Sequence, residues 1–175
     1  GSITLGVGQF CTNPGLVVAI EDENLNTFVH YLQKEIEAIA PSAMLHQGIA
    51  TNYDQKLGFA LGQKGVQLIG EASVKATPEQ GQATVATVTA DTCLRNPLLH
   101  QEVFGPYSLL VQCKNEKELL AVAKALEGQL TTTLMATHKD IKENNELLTV
   151  LQEVCGRLIF NNVPTGVEVS LSMHH

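Results

Sequence analysis

The sequence predicts an α/β domain built on a mostly parallel open sheet with helices on both faces. Three observations carry this expectation. ATVATVTA, residues 83–90, is a β-branched and nearly continuous run of small apolar residues, as a strand buried on both faces requires. NLNTFVHYLQKEIEAIA, residues 24–40, sets Leu25, Phe28, Val29, Leu32, Ile36 and Ile39 at helical spacing. From Tyr107 to Asn162, strand and helix patterns alternate with short links, which is the order that builds parallel pairing. At 175 residues the chain has the size of one domain with a real core, and it is read as a single unit.

The elements follow in order after a glycine-rich opening loop. The helix over 24–40 is stopped by Pro41, and the acidic run EDEN, Glu21 to Asn24, favours its start through the helix dipole. A second helix is expected from Ile49 to Gln63 with Gly65 just past its end, followed by a short strand at Val66 to Ile69. After the strand at 83–90 comes YSLLVQC, Tyr107 to Cys113. A helix over 115–126 then starts on Asn115 as N-cap, with Glu118 three residues on. TTTLMAT, Thr131 to Thr137, reads as a strand. Ile141, Leu147, Leu148, Leu151 and Val154 mark one helix that Gly156 would end, and RLIFNN closes as a strand. There is no internal repeat and no low-complexity linker.

Charge and composition exclude several functions. With 11 Lys plus Arg against 18 Asp plus Glu, the net charge of -7 gives no general attraction to phosphate backbones or anionic lipid, so neither nucleic acid nor membrane is an expected partner. No uncharged apolar run approaches the roughly 20 residues of a membrane span. Cys11, Cys93, Cys113 and Cys155 are dispersed, without a CxxC pair or zinc-ligand spacing, and no metal is expected. Dispersed thiols and the lack of a charged-then-apolar leader point to a reducing cytoplasm. His30, His46, His100 and His138 are scattered and read as surface or hydrogen-bonded residues.

Two segments carry candidate chemistry. GVGQFCTNPG, Gly6 to Gly15, sets Cys11 among glycines that let backbone approach a ligand, with Gln9, Thr12 and Asn13 as short polar neighbours. A thiol reacts as thiolate and needs N–H groups or positive potential near it, and the same N–H groups could hold an oxyanion. Spacing alone leaves open whether Cys11 is a nucleophile or a small apolar residue in a turn. A phosphate loop fits less well, because the third glycine of GxGxxG and a following Gly-Lys are missing and no strand precedes the segment. The second segment, HQEVFGPYSLLV, His100 to Val111, puts Glu102 and Phe104 ahead of a strand. A carboxylate there can accept two ribose hydroxyls while a phenyl ring packs beside a flat cofactor ring.

Together GQFCTNPG, EVFGP about 90 residues later, and IFNNVPTGVEVS at 159–170 resemble the aldehyde dehydrogenase superfamily over essentially the whole chain. NPG after the cysteine and NNVPTGVEV look most like the bacterial branch described as NADP-preferring aldehyde or α-ketoglutaric semialdehyde dehydrogenases. The resemblance implies that Cys11 attacks an aldehyde, giving a thiohemiacetal and then a thioacyl intermediate, with its own N–H holding the oxyanion. It implies that Glu102 binds the ribose beside the nicotinamide of NADP or NAD and that Phe104 positions the ring. Phe10, Thr12, Thr165 and Gly166 would line the aldehyde pocket.

Members of the family are several hundred residues long and are commonly homo-oligomers, and their cofactor-binding domain, deacylating glutamate and oxyanion asparagine precede the cysteine. The chain therefore reads as a catalytic domain excised from a longer enzyme, with the rest of that enzyme as its partner and no turnover expected of it alone. Two other readings stay open: a thiol hydrolase or acyltransferase using Cys11 with a histidine base, and a non-catalytic assembly domain with an exposed apolar patch.

Overall fold

A computed structural model describes residues 1–164. By contacts these residues form two compact units, divided between Leu119 and Leu120.

The first unit is organised by a four-stranded sheet of β1 (Leu16–Ile20), β3 (Gln67–Glu71), β5 (Thr84–Thr89) and β6 (Tyr107–Cys113), in the order β1-β6-β5-β3. β1 and β5 both run parallel to β6, and β3 is an antiparallel edge with a register shift between Leu68 and Gly70. The fold is α/β with a mostly parallel sheet, as the sequence predicts. The central strands are apolar on both sides because both faces carry helices. α1 (Glu23–Glu37) covers one face, packing Ile36 and Leu32 against Val85 of β5 and Ile69 of β3. α2 (Gln47–Leu61) covers the other, where Tyr53 is fully buried and its hydroxyl donates to the Gln82 carbonyl at 2.7 Å. Strand alternation makes this division: Val85 points to α1, while Thr84 and its register partner Tyr107 point the opposite way. A two-residue ladder, β2 (Ser42–Ala43) with β4 (Gln80–Gly81), closes one margin.

Local chemistry sets the helix ends. Asp22 is the N-cap of α1, its carboxylate accepting from Leu25 N–H at 2.6 Å and from Asn24 Nδ2 at 3.0 Å; those hydrogen bonds hold its pKa below the ordinary value. His46 caps α2 through Nδ1, a role its sequence gave no reason to expect. The predicted cap of α4 (Glu116–Ala125) is present: Asn115 accepts from Glu118 N–H, and the Glu118 carboxylate reaches back to Lys114 N–H.

In the second unit β7 (Gln129–Leu134) and β8 (Cys155–Phe160) pair in parallel through α5 (His138–Glu143) and α6 (Asn145–Val154). Leu134, Leu147 and Leu158 pack around buried Val150 and Leu151. The single helix expected over 141–154 is thus two. Thr137 and Asp140 form a capping box that starts α5 early, and the helix breaks at Asn144. Gly156 does not end a helix; it lies inside β8, which begins at Cys155 directly after α6.

β1 lies within the stretch expected to be opening loop, although the five consecutive apolar residues LVVAI between Gly15 and Glu21 are a strand signal. α3 (Ala90–Arg95), started by the Thr89 hydroxyl, was likewise hidden by its shortness and its continuity with β5.

Burial of weak acids in the first unit fixes how stability should vary with pH. Removal from water pushes Cys93 up from 9.0 to about 11, Cys113 up from 9.0 to about 12 and Tyr107 up from 10.0 to about 12. The unfolded chain therefore releases these protons first. The stability they contribute is complete below about pH 9 and is lost as pH climbs toward 11 to 12, at up to about 1.4 kcal/mol per pH unit for each group. The urea midpoint at pH 10.5 is expected to lie well below that at pH 8; equal midpoints would show these groups to be solvated.

Candidate active site

The opening segment is held in an unusual path. Gly6, Val7 and Gly8 all have positive φ, at 54°, 58° and 66°. For a β-branched residue such as Val7 this is a strained conformation of order 1–3 kcal/mol, kept only where surrounding contacts impose it. Those contacts come from the FGP loop. A Cβ on Gly8 would sit 2.3 Å from the Gly105 carbonyl carbon and oxygen and 2.6 Å from Pro106 N, so the two backbones touch where only glycine fits. Gly105 has φ of 153°, and a side chain there would run into the Tyr53 ring at 2.3 Å.

Beyond Gly8 the two segments stay joined. Asn13 Nδ2 donates to Gly105 O at 3.0 Å, the Ser108 hydroxyl donates to Pro14 O at 2.7 Å, and Leu109 N–H donates to Gly15 O at 2.9 Å. The two motifs singled out in the sequence, some 90 residues apart, are thereby laced together at the start of the parallel pair β1 and β6.

Cys11 is exposed. It follows Phe10 in a turn closed by Asn13 N–H donating to Phe10 O at 3.0 Å, and among the described residues the Cys11 N–H has no acceptor. An accessible sulfur and an uncommitted N–H on the same residue are what a nucleophile that also holds its own oxyanion needs. Phe10 is exposed, with its ring beside Gly6, while Thr12 is buried. On the facing loop Glu102 is exposed, free of any ion pair among the described residues, and Phe104 is half-buried. The first unit therefore brings Phe10, Cys11 and Thr12 onto a loop fastened to the one that carries Glu102 and Phe104. Thr165 and Gly166 lie outside the described residues.

One Cys–His contact joins residues with no recognisable sequence motif. His100 Nε2 lies 3.1 Å from the Cys93 carbonyl oxygen and 3.5 Å from Cys93 Sγ. Donation to the carbonyl places the proton on Nε2, so this nitrogen cannot act as base toward the thiol, which is itself buried and raised to about 11. The pair is a structural tie between α3 and the turn at Pro97–His100. Its signal was only a seven-residue spacing. A shallow apolar hollow lined by Lys56, Phe59, Leu98, Leu99, Val103 and Tyr107 adjoins the Glu102 loop on its α2 side, and Cys11 does not line it.

No protein-family model matches the chain. It is 42% identical over 174 residues to alpha-ketoglutaric semialdehyde dehydrogenase 2 of Azospirillum brasilense, covering 99% of this chain and 33% of that protein. It is 37% identical over 175 residues to alpha-ketoglutaric semialdehyde dehydrogenase of Acinetobacter baylyi, again covering 99% and 33%. Among solved structures, succinic semialdehyde dehydrogenase from Streptococcus pyogenes, in complex with NADP+, has the same fold. Its TM-score is 0.72 at 18% identity, over 94% of this chain and 38% of that one. The chain spans about a third of the length of the curated relatives it matches.

Proposed function

We propose, from a chain that belongs to the aldehyde dehydrogenase superfamily, that residues 1–175 are the nucleophile-bearing catalytic domain of a longer NAD(P)-dependent dehydrogenase that oxidises an aldehyde to a carboxylic acid. The observation that carries the reading is the lacing of the Cys11 turn to the loop of Glu102 and Phe104 through Gly8, Asn13 and Gly105.

Each residue's part follows from its chemistry. Cys11 Sγ adds to the aldehyde carbon, and the negative charge that gathers on the aldehyde oxygen is met by the free Cys11 N–H. The resulting thiohemiacetal loses its hydrogen with the bonding electron pair, leaving a thioester on Cys11. Water then displaces the sulfur, releasing the acid and restoring the thiol. A nicotinamide cofactor, NADP or NAD, supplies the hydride acceptor when bound. The donor set fits such a group: Glu102 offers an exposed carboxylate, without an ion pair among the described residues, to ribose hydroxyls, and Phe104 a ring surface beside it. Phe10, Thr12, Thr165 and Gly166 are assigned to the aldehyde pocket.

The semialdehydes in the names of the relatives make a carboxylate-bearing aldehyde the substrate class to try first. The thiol hydrolase alternative finds no support at Cys11, which has no histidine among its hydrogen-bond partners in the described residues. The test is formation of reduced cofactor, followed by absorbance, with a panel of semialdehydes. A longer dehydrogenase carrying this segment should turn over, and residues 1–175 alone should not. Loss of one oxyanion donor by itself costs about 10² to 10³ in rate. Aldehyde-independent thioester hydrolysis by the isolated chain would instead favour the hydrolase.

A further inference from the structure

We infer that Asn13 is a positioning residue for the Cys11 chemistry, holding the nucleophile's turn and the Glu102–Phe104 loop in one frame; this rests on the reading of Cys11 as nucleophile. Asn13 acts on both segments at once. Its backbone N–H closes the turn that contains Cys11, at 3.0 Å from Phe10 O, and its side-chain Nδ2 donates across 92 positions to Gly105 O, also at 3.0 Å. Gly105 directly follows Phe104, so the anchored carbonyl belongs to the residue next to the ring.

The orientation of the amide is set by its acceptor. A carbonyl oxygen can accept only from the NH₂ end, which turns Oδ1 away, and Oδ1 is buried without a partner among the described residues. An unpaired buried acceptor is unfavourable, and an apolar side chain at this position would avoid it. What asparagine supplies in return is a single donor directed at the cofactor-side loop. Gly105 O also accepts Tyr107 N–H at 2.8 Å, so the tether joins the hydrogen-bonded start of β6 and not a loose tip. Two reacting partners carried on separate loops need such a link, because misplacement by about 1 Å can cost on the order of 10² in rate.

The test uses Asn13→Asp and Asn13→Ala in the 175-residue chain. The aspartate is nearly isosteric. Ionised, it has no donor and sets a negative oxygen against the Gly105 carbonyl; protonated, it regains one O–H donor. Two quantities are followed against wild type from pH 3.5 to 8, a range that spans the ordinary aspartate pKa of about 3.9: amide exchange of the segment 103–107, and peptide-resolved iodoacetamide alkylation of Cys11 with Cys155 as internal control. For N13D, exchange at pH 8 should rise at least about tenfold over wild type. Cys11 alkylation should change at least about threefold with Cys155 unmoved, and both ratios should return toward one as the introduced carboxyl protonates.

N13A should show the same changes at every pH, without the return. N13D ratios within twofold of wild type throughout, or a change that pH does not reverse, would overturn the proposal. Should N13D fail to fold at pH 8, N13A carries the test alone, with unchanged exchange at 103–107 as the overturning result. If wild-type Cys11 alkylates no faster than a free thiol, the nucleophile reading fails by itself, and the exchange data still report the tether.

Discussion

Cys11→Ser is expected to lower NAD(P)-linked aldehyde oxidation by on the order of 10⁴-fold or more in a longer dehydrogenase carrying residues 1–175. In the proposed mechanism the sulfur is at once the atom that bonds to the aldehyde and the leaving group of the second step, and a hydroxyl is poor in both roles. The loss should fall on kcat, with cofactor affinity retained, because Glu102 and Phe104 stand on a different loop that Gly8 and Asn13 still hold in place. Substitution of Cys93 or Cys113 is expected to leave the chemistry intact and act on stability, since both thiols are buried in the sheet's packing.

The second large effect is structural. Gly8→Ala places a methyl group 2.3 Å from the Gly105 carbonyl carbon and oxygen, backbone atoms that have no rotamer to yield, at a residue whose φ of +66° already disfavours a side chain. Left-handed strain of about 1–2 kcal/mol and overpacking of about 1–3 kcal/mol together predict a loss of about 2–5 kcal/mol in urea unfolding. Gly15→Ala is the control: a Cβ there meets nothing within 4 Å, and the change should stay within about 0.5 kcal/mol. Similar losses in the two variants would mean that the cysteine segment is not packed against the FGP loop as described.

What could be read from the sequence follows from where local chemistry decides the outcome. Helical spacing in 24–40 and the small β-branched run at 83–90 fixed α1 and β5, because both patterns report directly which face is buried. The cap at Asn115 was equally plain. The elements that were missed or misjudged are those settled by neighbours in space. β1 is a strand because it finds the parallel partner β6, and the helix expected over 141–154 is interrupted because Asn144 leaves the helical region at φ −119° and ψ 46°.

At the site, residue chemistry made Cys11, Glu102 and Phe104 visible as candidates, whereas the contacts that join them were not. No spacing rule says that Gly8 must lie on Gly105, or that Asn13 reaches across 92 positions to a carbonyl. The left-handed path through Val7 is likewise imposed by packing, since valine itself disfavours it.

The most direct test of the account is to find the atom that carries the acyl group. A longer dehydrogenase bearing this segment is mixed with a semialdehyde and oxidised cofactor, quenched in acid during turnover, and digested for peptide mass analysis. The thioester mechanism predicts an adduct on the Cys11 peptide equal to the aldehyde mass less two hydrogens, the pair lost as hydride and proton, and no adduct in the Cys11→Ser variant. Steady formation of reduced cofactor with Cys11 unmodified, or the acyl group found on Cys155 or Cys93, would contradict it.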